Sequence, residues 1–162
     1  MKKRNEVVCY FLCDDSNVRE VLLGKKTQKT GQGKWNGYGG GQEPKESIID
    51  TVIREVEEEL GVTILADDLS QRGFLKISIR TNLQKKSLTR LSIFVIGKWT
   101  GDFQESEEMK SPTWWRIDTL PDLIDSDWLW LPYILKDKKV EGTIDKNIES
   151  KTVSANIFVS GL

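Results

Sequence analysis

Three carboxylates near the middle of the chain have a spacing that suits metal chemistry. Glu55, Glu58 and Glu59 stand at i, i+3 and i+4, so an α-helix would place all of them on one face. Like charges at these spacings repel each other unless a cation neutralises them. Mg²⁺ usually binds one or two carboxylates together with substrate phosphates. The spacing therefore suggests a metal–phosphate site, and the alternative is an ordinary acidic face exposed to solvent.

The residues around these glutamates predict an amphipathic helix from about Pro44 to Leu60. Proline suits the first turn of a helix, and Gly61 suits the C-terminal end. Apolar residues recur here with helical period and form the face that should be buried: Ile48, Ile49, Val52, Ile53, Val56 and Leu60. The glutamates lie beside this stripe, so the helix can be packed and still present them.

The rest of the chain predicts strands on both sides of this helix. The expected strands are 6–13, 21–23, 62–65, 73–79, 91–98 and 113–117, with a closing hairpin formed by 140–148 and 151–159. The expected loops and turns are 25–34, 83–89 and 101–111, and a short helix is expected over 127–135. One long helix among strands, with a second late helix, indicates an α/β class.

The spacing around the helix resembles the signature of the Nudix hydrolase superfamily at every defined position. Gly40 is followed by Glu46 and then by Arg54-Glu55-Val56, Glu58-Glu59 and Gly61-Val62. The resemblance implies a Nudix α/β/α sandwich with a mixed β-sheet and an enzyme that hydrolyses phosphoanhydrides. It also implies Mg²⁺ as cofactor, with Mn²⁺ as the alternative.

The same resemblance implies roles for the signature residues. Glu59 is the expected principal metal ligand, and Glu55 and Glu58 share ligand or general-base roles. Arg54 is expected to orient a carboxylate through a bidentate pair, and Glu46 is expected to be structural. Gly40 is included in the metal site because glycines without Cβ atoms let the backbone approach metals or phosphates; a plain tight turn is the alternative.

Other stretches resemble the MutT-homologue class, whose members hydrolyse oxidised purine nucleoside triphosphates. These stretches are 21–26, 33–40, 105–109 and 127–132. The resemblance assigns Asn36 and Asp127 to opposite edges of the purine base and Lys26 to the pocket near the sugar. It assigns Gly39 to substrate binding and makes Glu108 a further metal ligand. An amide and a carboxylate can together recognise donors and acceptors of a purine.

The chain departs from that class at three aromatic or acidic positions. Ile124 replaces a tryptophan that stacks on the base, Ser126 replaces one of two paired aspartates, and Thr30 stands where a phenylalanine is expected. Each lost aromatic platform weakens base binding by about 1–3 kcal/mol. Trp128 or Trp114 could supply stacking from a shifted position, and core packing is the alternative for both.

The bulk properties narrow the function further. The chain has 162 residues, which fit a single domain over 1–162, and a net charge of −1, which supplies no general attraction for nucleic acid. It has no histidine, which excludes a Ser-His-Asp triad and a His-ligated zinc site. Cys9 and Cys13 are expected to be buried free thiols. The apolar run 7–13 is too short for a membrane span, so we expect a cytoplasmic protein. We expect it to be a monomer or a dimer.

Two alternatives to an oxidised-purine hydrolase remain at this point. One is a Nudix hydrolase of another nucleoside diphosphate-linked substrate or of RNA 5′ ends; the restriction of the basic loop to 25–34 argues against long RNA. The other is a non-catalytic Nudix-fold binding module. Such modules typically lose signature glutamates, whereas this chain has all of them.

Overall fold

The computed structural model describes residues 1–29 and 31–162, and most of them lie in strands. Within these residues the strands are β1 Lys2–Asp15, β2 Val18–Lys26, β3 Trp35–Asn36, β4 Tyr38–Gly41, β5 Leu69–Arg80, β6 Lys85–Ile96, β7 Met109–Arg116, β8 Lys138–Asn147 and β9 Thr152–Gly161. The helices are α1 Ile48–Leu60 and α2 Leu131–Leu135, and short 3₁₀ segments cover Ala66–Asp68 and Asp125–Leu129.

The strands form one mixed sheet that runs in the order β3-β2-β1-β6-β5-β8-β9, with β4 on β1 and β7 on β2. The β1–β6 and β5–β8 pairs are parallel and the other pairs are antiparallel. Along one edge the long strand β1 pairs with two strands in succession, residues 6–9 with β4 and residues 12–15 with β2, and its other edge pairs with β6. The mixed sheet confirms the predicted α/β class.

Alternate residues of β1 enter two separate hydrophobic cores, as the two-residue period of a strand requires. Val7, Cys9 and Phe11 pack with α1. Val8 and Tyr10 pack with α2 on the opposite face of the sheet. The sheet is therefore enclosed between two helices, which is the predicted α/β/α layering.

Helix α1 is shorter at its start than the sequence predicts. Ser47 caps it by accepting a hydrogen bond from the backbone N–H of Asp50 at 3.0 Å, and Gly61 ends it in the left-handed conformation at φ 71°. Pro44 lies before the cap, in a turn where the Glu46 N–H donates to the Glu43 carbonyl at 3.2 Å. The predicted apolar stripe is buried or partly buried against the α1-side core.

Several other local predictions are wrong in extent: β2 and β7, for example, run into the loops predicted over 25–34 and 101–111. Residues 62–65 form only an isolated bridge from Thr63 to Thr100. The turn predicted over 83–89 is confined to Thr81–Gln84, because β6 pairs with β5 from Lys85 onward and adds the ladder to β1. The short helix predicted over 127–135 is split between the second 3₁₀ segment and α2.

The remaining local predictions vary in outcome. The closing hairpin is confirmed as β8 and β9. Both cysteines are free, but only Cys9 is buried, and Cys13 is exposed near the end of β1. Among the described residues no helix is long and apolar enough to cross a membrane.

Candidate active site

A cavity of about 360 Å³ lies on the α2 face of the sheet, beside β4. Its walls include all the residues predicted to bind substrate and two of those predicted to bind metal: Lys26, Asn36, Gly39, Asp127, Gly40 and Glu108. The tertiary structure thus brings together residues that are up to about a hundred positions apart in the chain.

Strand β4 joins this cavity to the acidic helix. The Gly39 N–H donates to Glu59 Oε1 at 2.8 Å, and a Cβ at Gly40 would collide with the Glu55 carboxylate. A Cβ at Gly39 would likewise collide with the carbonyl of Val7 on β1. The glycines are therefore needed because β4 is pressed between β1 and the carboxylates of α1, and not because of a tight turn.

Arg54 organises the acidic residues around the start of α1. Its guanidinium donates twice to the Glu46 carboxylate, from Nε at 2.7 Å and from Nη2 at 3.0 Å. Nη1 donates to Glu55 Oε1 at 2.9 Å and to Glu58 Oε2 at 3.3 Å. The bidentate partner of Arg54 is thus Glu46, which links the turn before α1 to the helix, and Arg54 holds Glu55 through a single bond.

Glu46 is the most strongly ionised carboxyl of this group. The Arg54 hydrogen bonds lower its pKa to about 2, with smaller help from the Thr51 hydroxyl and the Glu43 N–H. A carboxylate so committed to internal partners has a structural role here, as its position in the sequence predicts.

The pKa values of Glu55 and Glu59 are instead raised. Burial raises the pKa of Glu59 to about 8, and the charges of Glu55 and Glu108 add to the rise while the Gly39 N–H opposes it. Glu59 is only 7% exposed. Burial also raises the pKa of Glu55, with Arg54 opposing and Glu58 and Glu108 contributing. The charge of Glu108 thus acts on both helix glutamates.

The donors in this region fit a hard divalent cation. They are carboxylate oxygens, together with a glycine backbone that no side chain shields. Burial raises the pKa of Glu59 to about 8, so its ionised form would gain from a nearby positive charge. Within residues 1–29 and 31–162 no three acidic side chains converge into a ready-made cluster. Arg54 engages Glu55 instead, and Lys29 engages Glu108 at 3.3 Å.

Asn36 lies in β3 at the cavity wall, and its side-chain oxygen accepts the Gly37 N–H at 2.8 Å. That bond fixes the amide plane and leaves the NH₂ group as the part that can donate to a ligand. Lys26 ends β2, where its backbone pairs with Lys34 and Gly33 at 2.9 and 2.8 Å.

Asp127 lies in the 3₁₀ segment before α2. Burial raises its pKa to about 6, and the charges of Lys146 and Lys26 oppose the rise. At neutral pH the carboxyl is therefore mainly ionised and can accept hydrogen bonds from a ligand.

The positions that depart from the MutT-homologue pattern also reach the cavity. Ile124 and Ser126 line it. Trp114 packs in the α1-side core, tilted against Trp99 with ring centroids 6.0 Å apart, and Trp128 is 45% exposed. Neither residue lines the cavity: Trp114 is a packing residue of the core, and Trp128 is a surface residue. Thr30 lies outside the described residues.

Several wall residues escaped the sequence reasoning, among them Lys146, Tyr10 and Trp130. Tyr10 and Trp130 are fully buried and meet edge to face at 6.1 Å between ring centroids. Among the described residues the Tyr10 hydroxyl and the Trp130 indole N–H have no hydrogen-bond partner. Of these three residues, only Lys146 carries a sign of a site in the sequence, because it is a charged residue at an inward position of β8.

Comparison with known proteins agrees with this arrangement. Residues 2–137 match the family model described as NUDIX domain. The chain is 36% identical over 124 residues to an oxidized purine nucleoside triphosphate hydrolase of Danio rerio, covering 75% of this chain and 76% of the relative. The protein of the same name from Mus musculus is 36% identical over 126 residues, covering 76% and 77%. A crystal structure of a mutator MutT protein from Bacillus halodurans superposes with a TM-score of 0.77 at 26% identity, covering 95% of this chain and 97% of that one.

Proposed function

The chain belongs to the Nudix hydrolase family, and from this premise we propose that it cleaves oxidised purine nucleoside triphosphates to the monophosphate and pyrophosphate. One observation carries the proposal: Asn36 and Asp127 share a cavity whose wall, at Gly39 and Gly40, directly contacts the Glu59 and Glu55 carboxylates. A bound base and its phosphate chain could therefore be held at the same time. The names of the 36% identical relatives support the same substrate class.

We assign Mg²⁺ binding to Glu55, Glu58, Glu59 and Glu108, with the Gly40 backbone beside them; Mn²⁺ would suit the same oxygen donors. When bound, the metal would neutralise charge on the phosphate oxygens. Arg54 positions Glu55 and Glu58 by hydrogen bonds to both. One of the three helix glutamates, or an acidic residue outside the signature, would serve as the general base that removes a proton from the attacking water.

The base end of the substrate is assigned to three side chains. The Asn36 NH₂ group donates to an acceptor on the purine, and the Asp127 carboxylate accepts from the other edge. Lys26, at the end of β2, lies near the sugar. Ile124 provides apolar contact in place of a stacking ring, so this pocket depends more on hydrogen bonds than on stacking.

The wider setting is also a proposal. We place the enzyme in the cytoplasm as a single domain over 1–162. It would be a monomer or dimer that binds the nucleotide substrate and forms no stable complex with nucleic acid.

A second candidate substrate is a 5′-triphosphorylated RNA. A groove adjoining the cavity is lined by Lys2, Lys3, Arg4 and Arg90, and Arg4 lines both the groove and the cavity. A basic path from the site could hold a longer phosphate chain. Glu43 and Glu46 in the same groove work against it.

A substrate panel with Mg²⁺ tests the proposal. It would contain 8-oxo-dGTP, 2-oxo-dATP, the plain dNTPs, a nucleoside diphosphate sugar, a dinucleoside polyphosphate and 5′-triphosphorylated RNA, with pyrophosphate and phosphate measured separately. We expect the highest kcat/KM for an oxidised purine, with pyrophosphate as product. Hydrolysis confined to the other compounds would overturn the substrate assignment.

A further inference from the structure

The inward face of β8 ends in a lysine. Val140, Gly142, Ile144 and Lys146 alternate along the strand and so share one face; Val140 and Ile144 are fully buried in the α2-side core. Lys146 follows in the same row, opposite Ile79 of β5, and is half-buried at the cavity wall. A lysine at the end of this otherwise apolar row brings a charged amine to the cavity wall.

Asp127 supplies a carboxylate to the same cavity wall. The two residues line the same cavity from different elements, β8 and the 3₁₀ segment before α2. Each shifts the pKa of the other. Among the ion pairs within 4.0 Å that the described residues form, however, Lys146 and Asp127 do not pair with each other. Lys146, a donor, and Asp127, an acceptor, thus line one cavity without forming an ion pair with each other.

This arrangement matches one class of purine. A 6-oxopurine such as guanine carries a carbonyl acceptor at C6 next to an N1–H donor, whereas a 6-aminopurine carries a donor at C6 next to an acceptor at N1. A lysine ammonium can only donate and an ionised carboxylate can only accept. The pair therefore complements the first edge and opposes both positions of the second.

We propose that Lys146 is a specificity-determining residue that donates to the C6 carbonyl of the base while Asp127 accepts from N1–H. The enzyme accordingly prefers guanine-type over adenine-type nucleoside triphosphates. This inference deepens the proposed function and rests on it, since it concerns the base pocket of the same site. The competing arrangement is a lysine that buries its stem and keeps its amine in solvent.

The test compares 8-oxo-dGTP with 8-oxo-dATP, which differ at C6 and N1 and, in addition, by the 2-amino group that only guanine carries. Wild-type enzyme is compared with Lys146→Met, which keeps the unbranched stem and removes the charged amine, and with Lys146→Arg, which keeps the charge. Lys139→Met is the matched control, because Lys139 is an exposed residue of the same strand. Binding of the two 8-oxo monophosphates is measured by calorimetry in parallel.

We expect wild type to favour the guanine compound in both kcat/KM and affinity. Lys146→Met should lower that preference about ten- to a hundredfold, as expected for the loss of one hydrogen bond to a charged group. Lys146→Arg should retain most of it, and Lys139→Met should match wild type. An unchanged preference in Lys146→Met, or an equal loss in Lys139→Met, would overturn the inference.

The two proposals can fail separately. If wild type hydrolyses none of the nucleoside triphosphates, the proposed function fails, while the monophosphate affinities still report on the pocket. If wild type hydrolyses both 8-oxo compounds and Lys146→Met keeps the wild-type ratio, the function stands and only the role of Lys146 is wrong.

Discussion

At the scale of single residues, burial separates carboxylates that look alike in the sequence. The pKa of Glu46 is lowered to about 2, because Arg54 surrounds its carboxylate with donors. The pKa of Glu59 is raised to about 8, because the core desolvates its carboxylate. Glu57 and Glu58 on the same helix are exposed. A residue that is buried, ionisable and beside the substrate cavity is a candidate for chemistry.

Glu59→Gln should reduce kcat at least about a hundredfold, the scale of a lost catalytic group. The fold should persist, because the Gln amide oxygen can still accept the Gly39 N–H and a neutral group is easier to bury. Kinetics together with thermal unfolding would check this. The control is Glu57→Gln, which should behave like wild type because Glu57 is exposed on another face of α1. Full activity in Glu59→Gln would contradict the metal assignment.

Asp127 predicts a pH effect on base preference. Its pKa is raised to about 6 by burial, with Lys146 and Lys26 opposing; Tyr10 and Asp125 are the other ionisable groups nearby. Protonation turns the carboxyl into a donor that can meet N1 of an adenine-type base. The preference for 8-oxo-dGTP over 8-oxo-dATP should therefore narrow as pH falls from about 8 to about 5. Asp127→Asn does not titrate, so its preference should be flat with pH over this range; a parallel slope in both proteins would reject the assignment.

At the scale of elements, β4 transmits the position of α1 to the cavity. Its glycines differ in what surrounds them: a side chain would meet β1 backbone at Gly39, the Glu55 carboxylate at Gly40, and open space at Gly41. The strand can approach both neighbours only because two of these positions lack a Cβ.

A set of three alanine substitutions would test this role of β4. Gly39→Ala should destabilise the fold, because backbone cannot move aside. Gly40→Ala should keep the fold and lower kcat/KM by at least about tenfold, because Glu55 must move. Gly41→Ala is the control and should resemble wild type in denaturation and in kinetics. Wild-type kinetics for Gly40→Ala would show that the position of Glu55 does not matter.

Arg54 joins the turn before α1 to the helix, and lysine cannot copy its forked geometry. Arg54→Lys should lose about 1–3 kcal/mol of unfolding free energy and about tenfold or more in kcat/KM. Chemical denaturation and steady-state kinetics would measure both. The matched control is Arg116→Lys, whose pair with Asp118 is exposed and should contribute little. Equal losses in the two variants would remove the special role of Arg54.

At the scale of the whole molecule, the sheet separates two tasks. The glutamates belong to α1 on one face, and the cavity is built from the core on the other face. The two meet at β4, which pairs with residues 6–9 of β1. The α1 carboxylates and the cavity therefore meet at an edge of the sheet, where both faces can contribute to one site.

The opposite end of the sheet is closed by an ion-pair network around Arg19. Its guanidinium donates to Asp14 at 2.7 Å, to Asp137 at 2.8 Å and to the Leu135 carbonyl at 3.1 Å, which ties β1 and β2 to the end of α2. Arg19→Ala should lower the unfolding free energy by about 1–3 kcal/mol and leave kcat/KM near wild type. A large kinetic defect would mean that this end is coupled to the cavity.

Acid should weaken the same network. Arg19 lowers the pKa of Asp14 and of Asp137, so the stability they add is present above the ordinary aspartate pKa of about 4 and is lost as pH falls below it. Arg19→Ala should therefore show a smaller loss of stability in acid than wild type.

Local patterns in the sequence determined much of this protein. The α1 stripe, the one-sided glutamates and the closing hairpin follow from period and spacing, which are set by neighbouring residues. The resemblance to the MutT-homologue class added Asn36, Asp127 and Glu108, and these line the cavity together with Gly39 and Gly40. The start of α1, in contrast, depends on a Ser47 cap and a Glu46–Arg54 pair that the apolar period does not indicate.

Only the tertiary structure decided which surfaces meet. The polar stretch after Gln84 became strand because β1 and β5 offered hydrogen-bond partners on both sides. Glu59 became buried because β4 was pressed against α1, and Lys146 became a cavity residue because β8 paired in parallel with β5. Strand register and the desolvation of charges are set by residues far apart in the chain, so no local pattern in the sequence contains them.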